Sequence, residues 1–282
     1  MKVISGGEFT GERALFASRD LNIEGAHFHS GESPLKESRG IELDECEFSW
    51  KYPLWYCRGI NVFDTSFNEG ARSGIWYTDD ISMTNCVIDA PKMFRRSNGI
   101  RLEDVRFSNA QETMWNCSDI ELIGVTVRGD YFGFGSTDIY AEDLDVDGNY
   151  IFDGAKNVTV RNSRLNSKDA FWNCEDVVVE NCEIIGEYLG WNSKNVTFIN
   201  CTIESNQGIC YMDNVVMRGC RLINTDLCFE YCTVDAEIDS HVDSVKNPTS
   251  GRIVAHSIGE IIHEADKVDV SKTVITEVKR DV

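Results

Sequence analysis

The sequence has few prolines, few basic residues and no long apolar run. Only 4 of its 282 residues are proline, against 22 glycines, so tight turns must be made by Gly, Asn and Asp. The 47 acidic residues outnumber the 27 basic ones, which gives a formal net charge of −20. Such a surface repels phosphate backbones and anionic lipid, so we expect neither nucleic-acid nor membrane binding.

Signals for export and for common cofactor sites are also missing. The N-terminal segment has no apolar stretch of the kind found in signal peptides, and none of the 11 cysteines forms a Cys-x-x-Cys pair. Free cysteines without an export signal predict a cytoplasmic protein. The segment Asp143–Gly148 resembles the start of an EF-hand loop, but the last ligand position is Gly154. We therefore predict no metal site and no cofactor, with calcium held by acidic groups as the alternative that stays open.

What the sequence does contain is an internal repeat. A frame of alternating apolar residues, a turn residue and a small residue recurs at steps of 19 to 21, starting at Leu21, Ile41, Ile60, Ile81, Ile100, Ile120, Ile139, Val158, Val177, Val196 and Val215. Each period holds three very short segments with strand-like alternation. This pattern predicts an all-β fold, a single-stranded parallel β-helix of roughly 10–12 coils with three short strands in each.

Two columns of the repeat predict how a coil turns and what fills it. The turn position is occupied by Asn, Asp or Gly in nine of ten coils, with Glu45 as the exception, and these residues tolerate a left-handed backbone. The next position is small or medium-sized and should point inward, which makes its cysteines core thiols. Its residues are Cys46, Thr65, Cys86, Val105, Val125, Leu144, Ser163, Cys182, Cys201 and Cys220.

The repeat predicts a single domain over residues 1–282. Open β-helix ends need caps, so we assign residues 1–13 to an N-terminal cap and 264–282 to a C-terminal cap or arm. Residues 14–223 form the regular coils. The register breaks at Asn224, so residues 224–263 are expected to form shorter, irregular coils.

An aromatic stripe runs through the third segment of the coils. The residue before each stripe member is apolar or Gly, so the stripe itself should face outward. Aromatic faces stack on sugar rings and also build protein interfaces; burial under loops is the alternative. The substrate-binding residues predicted from this stripe are Trp55, Trp76, Arg95, Trp115, Trp172 and Trp191.

Acidic residues accompany the stripe. Asp153 lies within it, whereas Asp130, Asp169 and Glu187 end the loops that lead into it. Carboxylates on adjacent coils would be about 5 Å apart, and two coils apart about 10 Å, which brackets the spacings of retaining and inverting glycosidases. These four residues are the predicted acid/base groups, and Lys168 is a candidate base or charge clamp. The alternative is an ordinary solvated acidic surface.

Several segments resemble a bacterial family known only as a domain of unknown function, placed among the pectin-lyase-like right-handed β-helices. The resemblance implies the handedness of the helix but no activity. Neither the paired-Asp and Gly-His-Gly pattern of polygalacturonases nor the Arg-x-Pro-x-x-Arg pattern of pectate lyases is present. The segments are Phe9–Phe16, Gly31–Ser38, Trp50–Cys57, Gly129–Gly133, Ser167–Cys174 and Gly186–Ser193.

The sequence supports two functional hypotheses. The first is a carbohydrate-active protein that binds, hydrolyses or lyses an oligosaccharide or sugar derivative in the aromatic and acidic groove. The second is a non-catalytic scaffold that self-associates or binds a protein partner through the same stripe. Whether the chain is an enzyme, and its oligomeric state, stay open at this point.

Overall fold

The structure is a computed structural model that describes residues 2–278 and consists almost entirely of β-strands. It divides into two compact units, residues 1–145 and 146–282. In each unit the strands pair in parallel between successive coils, which confirms the predicted right-handed parallel β-helix. The last residues of the predicted C-terminal cap, 279–282, lie outside the described residues. No helix within residues 2–278 is long and apolar enough to span a membrane.

The first unit alternates between two sheets, because each coil contributes one longer and one shorter strand. The longer strands are β1 (Lys2–Ser5), β3 (Arg19–Glu24), β5 (Arg39–Asp44), β7 (Arg58–Phe63), β9 (Asp79–Thr84), β11 (Asn98–Glu103), β13 (Ser118–Ile123) and β15 (Thr137–Glu142). The shorter strands are β2 (Glu8–Phe9), β4 (His27–Phe28), β6 (Glu47–Phe48), β8 (Ser66–Phe67), β10 (Val87–Ile88), β12 (Arg106–Phe107) and β14 (Thr126–Arg128). A 3-10 helix, Glu69–Ala71, follows β8.

The second unit continues the same alternation and then lengthens its strands. β16 (Asp145–Asp147) starts on the last residue of the first unit. The regular strands are β17 (Lys156–Arg161), β18 (Arg164–Asn166), β19 (Glu175–Glu180), β20 (Glu183–Glu187), β21 (Lys194–Ile199) and β22 (Thr202–Asn206). The long strands are β23 (Asp213–Ile223), β24 (Thr233–Lys246) and β25 (Ser250–Ile262); a 3-10 helix (Val270–Lys272) and β26 (Thr273–Glu277) follow them.

The apolar repeat sets the strand register. Ile41 pairs with Leu21 on one side and with Ile60 on the other, so each frame residue stacks on its counterpart one coil away. The third segment of each coil forms isolated bridges such as Trp76 with Arg95, because left-handed residues follow it at once. Register shifts appear in the long strands, where the sequence repeat also breaks down.

Stacked side chains fill the interior. The rings of Phe28, Phe48 and Phe67 lie 4.5 and 4.9 Å apart and nearly parallel, one in each coil. All 11 cysteines are free and buried, which confirms the inward direction predicted for the column of Cys46 and its counterparts. Burial raises the pKa of the Cys57 and Cys174 thiols to about 12, so they stay protonated at neutral pH.

The turn column adopts the predicted left-handed backbone. Its φ angles are positive throughout, including φ +50 at Glu45 and φ +54 at Asn181. The side-chain amide of Asn181 donates to Asn162 Oδ1 at 3.2 Å, and that of Asn200 donates to Asn181 at 3.4 Å. These corner residues therefore form a hydrogen-bonded ladder in the second unit.

Candidate active site

The aromatic stripe lies on the outer side of its coils, as predicted. Each of its members is half-buried, whereas the residues that precede them are fully buried. The alternation of a strand therefore operates here even though the segment is short. The buried residues beneath the stripe in the first unit include Leu54, Ile75, Phe94 and Met114.

In the first unit the stripe residues stack on one another. The rings of Trp55 and Trp76 lie 5.3 Å apart and are nearly parallel, at 7°. The guanidinium of Arg95 lies between the rings of Trp76 and Trp115, 4.6 and 4.7 Å from their centroids. The indole nitrogen of Trp76 donates to the carbonyl of Lys92 at 2.8 Å, and the other two indoles donate similarly to the backbone of a following coil.

This stacking restricts what the first unit can offer a ligand. A sugar ring stacks on an aromatic face, and the inner faces here are occupied by neighbouring side chains. The indole N–H donors are also used. Only the edges of these side chains face solvent. The assignment of Trp55, Trp76, Arg95 and Trp115 to substrate binding stays a prediction, and a ligand would have to contact their edges.

A small charge cluster borders this stack. Glu112 Oε2 lies 3.1 Å from Lys92 Nζ and 3.7 Å from Arg95 Nη2, so the carboxylate is shared by two cations. Asp130 follows in the next coil, where its carbonyl accepts a hydrogen bond from the Glu112 backbone at 3.0 Å. Asp130 thus belongs to the first unit, whereas the other predicted acid/base residues belong to the second.

In the second unit the stripe changes character. It begins with Asp153, whose Oδ1 accepts a hydrogen bond from the Asn173 amide at 2.9 Å. Trp172 and Trp191 follow with ring centroids 6.0 Å apart, and Tyr211 lies 4.3 Å from Trp191. A carboxylate therefore occupies the stripe position one coil before two adjacent indoles.

Asp169 lies one residue away from the column that the sequence assigned to it. Its backbone has φ +58, which it shares with Tyr150 and Tyr188 at the same corner of the neighbouring coils. Lys168 and Glu187 occupy the column before it. Asp169 thus occupies the corner position that holds a tyrosine in the two neighbouring coils, and it is only 2 % exposed.

The surroundings of Asp169 favour its protonated form. Burial raises the pKa of this carboxyl, and the charges of Glu187 and Asp153 raise it further. A hydrogen bond from the Tyr150 side chain and the charge of Lys168 oppose this change. Among the described residues, Asp169 Oδ1 has no hydrogen-bond partner, although it is buried. A buried carboxyl with an unmatched oxygen commonly marks a site that a ligand completes.

An ion pair lies beside this carboxyl. Lys168 Nζ is 3.1 Å from Glu187 Oε2, and both side chains are about half exposed. The hydrogen bond that Lys168 donates to the Glu187 carboxylate raises the pKa of Lys168, which therefore stays a cation at neutral pH. Lys168 consequently fits a charge clamp better than a proton acceptor.

Tyr150 is the functional residue that sequence reasoning missed. Its signal was present, because tyrosine recurs at this corner in Tyr52, Tyr131, Tyr150 and Tyr188. Recognising it required the left-handed geometry of a second corner, which Asn, Asp and Gly do not mark in the sequence. The structure brings together Asp153, Lys168, Asp169, Glu187 and Trp172 in the second unit, with Tyr150 as the added member.

The chain belongs to a family described as "Protein of unknown function (DUF3737)", whose model matches residues 2–276. No curated protein matches it. An alginate lyase, AlyF-OU02 in complex with G6, is similar in structure at 11% identity, covering 97% of this chain and 87% of that chain with a TM-score of 0.54. An alginate lyase of the PL6 type in complex with a trisaccharide also shows 11% identity, covering 98% and 87% with a TM-score of 0.50. At these identities the likeness establishes the shared fold.

Proposed function

We propose that this protein binds an oligosaccharide or sugar derivative along the second unit and acts on it by acid/base catalysis. The observation that carries the proposal is Asp169, a carboxyl with a raised pKa, 2 % exposure and an unpartnered oxygen. Carboxyls with a raised pKa are maintained where a reaction needs a proton donor. A sugar oxygen would supply the missing partner of Oδ1.

The neighbouring groups have complementary roles in this proposal. Asp169 donates a proton to the leaving oxygen, and Tyr150 orients the carboxyl through its hydrogen bond. Asp153 is held through Oδ1 by Asn173 and is the second carboxylate, which acts on a water molecule or on the sugar itself. Trp172 and Trp191 also contact neighbouring rings, so they offer the sugar ring an apolar surface through their exposed edges.

The charge of the site favours an uncharged sugar. Asp153 and Glu187 lie close enough to Asp169 to raise its pKa, the nearby Lys168 offsets only part of this negative charge, and the whole chain carries −20. A polyanionic chain would be repelled by this field. The two structural neighbours are alginate lyases by name, which supports a carbohydrate substrate, and the acidic surroundings of Asp169 lead us to expect that this substrate is uncharged.

The test is a binding titration against a panel of neutral and uronic oligosaccharides, in which binding is monitored by intrinsic tryptophan fluorescence. A neutral ligand should change the fluorescence of the wild type, and Trp172→Ala should weaken binding about two- to tenfold, because an aromatic contact contributes about 0.5–1.5 kcal/mol. Trp50→Ala is the matched control, since Trp50 is 39 % exposed and lies outside the stripe.

The catalytic part is tested separately with Asp169→Asn. This variant should bind the same sugar but lose activity by roughly 10²–10⁴-fold. Glu183→Gln is its control, because Glu183 is exposed and pairs with Arg164 at 4.0 Å outside the site. If no sugar binds and light scattering shows that the protein self-associates, the non-catalytic scaffold is the better account.

A further inference from the structure

A group of metal-ligating side chains lies outside the candidate active site, on the first coils of the first unit. Glu8, His27 and His29 each offer one ligand atom, and these atoms all lie within 4.8 Å of one another. No other such group of three exists among residues 2–278. The sequence predicted no metal site, because Glu8 precedes His27 by 19 residues and only the coil repeat brings the two together.

The β-helix brings the three residues together. His27 and His29 are two residues apart at β4, so both point outward while Phe28 between them points into the core. Glu8 on β2 pairs directly with His27 in the parallel register. Glu8 Oε2 contacts His29 Nε2, so the carboxylate of one coil already reaches the imidazole of the next.

A fourth residue, Glu47, lies beside one of the imidazoles. Glu47 on β6 pairs with His27 from the other side, and its Oε2 lies 3.8 Å from His27 Nδ1. Its Oε1 accepts hydrogen bonds from the Asn68 amide at 2.8 Å and from the Ser49 hydroxyl at 3.0 Å. Around bound zinc, a carboxylate commonly accepts a hydrogen bond from the second nitrogen of a histidine ligand, and Glu47 lies near enough to His27 to do so after a small side-chain movement.

We propose that Glu8, His27 and His29 bind a divalent transition-metal ion of the Zn²⁺ type. Two imidazoles and one carboxylate suit such ions and do not suit Ca²⁺, which prefers an all-oxygen shell. Tetrahedral ligands at about 2.1 Å from zinc lie about 3.4 Å apart, so the most distant pair of ligand atoms needs to close by at most about 1.4 Å. All three side chains are 41–65 % exposed, so solvent rather than packed core borders them.

The bound ion acts as a clip between coils. Glu8 belongs to the first coil and both histidines to the second, so the ion ties β2 to β4, where only short strands hold the coils together. Three protein ligands leave one position to water. This site is independent of the proposed carbohydrate chemistry, which lies in the second unit.

The test is calorimetric titration of the folded, reduced protein with Zn²⁺ and separately with Ca²⁺. One equivalent of Zn²⁺ should bind, and His29→Gln or Glu8→Gln should each weaken binding at least roughly tenfold. Glu47→Gln should weaken it less. His241→Gln is the matched control, because His241 is also an exposed histidine near a carboxylate, 3.7 Å from Asp243, but has no third ligand.

A second readout protects the test against misfolded variants. In the wild type, Zn²⁺ should shift the imidazole proton resonances of His27 and His29 and slow amide exchange in β1 and β2. The proposal is overturned if Zn²⁺ does not bind at millimolar concentration. It is equally overturned if the His29→Gln protein, folded by circular dichroism, binds Zn²⁺ as the wild type does, or if Ca²⁺ binds as tightly as Zn²⁺.

Discussion

Asp169 should reduce the stability of the folded protein, and removing its charge should therefore stabilise it. A buried charged acceptor left without a partner costs about 1–3 kcal/mol, and Tyr150 and Lys168 recover part of that cost. We expect Asp169→Asn to raise the free energy of unfolding by about 1 kcal/mol at pH 7, or the melting temperature by about 2–4 °C. If Asp169 served only to stabilise the fold, its replacement by Asn would instead lower the free energy of unfolding.

The pH dependence gives this prediction its sign. The pKa of Asp169 in the folded state is raised above its ordinary value of 3.8, so the folded protein binds more protons than the unfolded chain between these values. The contribution of Asp169 to stability is thus favourable at low pH and is lost as the pH rises through the folded-state pKa. The advantage of Asp169→Asn should consequently shrink as the pH falls towards about 4.

The assay is differential scanning calorimetry of wild type, Asp169→Asn and Glu183→Gln at several pH values from 4 to 8. Glu183→Gln should stay within about 0.5 kcal/mol of the wild type, since exposed ion pairs contribute little. The reasoning would be refuted if Asp169→Asn lowered the free energy of unfolding by about 2 kcal/mol or more at pH 7 and also lowered it at every other pH tested.

Three further predictions test the fold. Gly186→Ala should destabilise the protein by about 3 kcal/mol or more in urea unfolding, because its Cβ would lie 2.1 Å from the carbonyl oxygen of Ser167, whereas Gly11→Ala, with nothing within 4 Å, should have little effect. Trp76→Ala should cost about 2–4 kcal/mol through loss of its stack, and Trp50→Ala under 1 kcal/mol. None of the 11 buried thiols should react with a thiol reagent in the folded protein at pH 8, and all should react in guanidinium.

The repeat in the sequence predicts the fold well, because burial and turn geometry restrict which residue types can occupy each repeated position. Cys46 and its counterparts had to be small and inward, and residues such as Asn181 had to accept a left-handed backbone. Both constraints act on single positions, so they leave a trace every 19 to 21 residues. The same alternation correctly placed the Trp55 column outside and the Leu54 column inside.

The candidate site was only partly predictable, because its important features arise between coils. The sequence named Asp169 and Glu187 but placed them in one column, and the one-residue offset that buries Asp169 depends on a corner shared with Tyr150. The Arg95 sandwich could not be anticipated either, since nothing in a column of residue types shows whether neighbouring faces touch. The same holds for Glu8 and His29, which are 21 residues apart.

The most direct test of the account measures the turnover of neutral oligosaccharides by wild type, Asp169→Asn and Glu183→Gln. Turnover is monitored as the release of reducing ends at pH values from 4 to 9. The account predicts that wild type and Glu183→Gln cleave the same sugar at rates that fall as the pH rises through the raised pKa of Asp169. Asp169→Asn should be slower by roughly 10²–10⁴-fold. An Asp169→Asn protein with wild-type activity, or a wild type that neither binds nor cleaves any sugar of the panel, would contradict it.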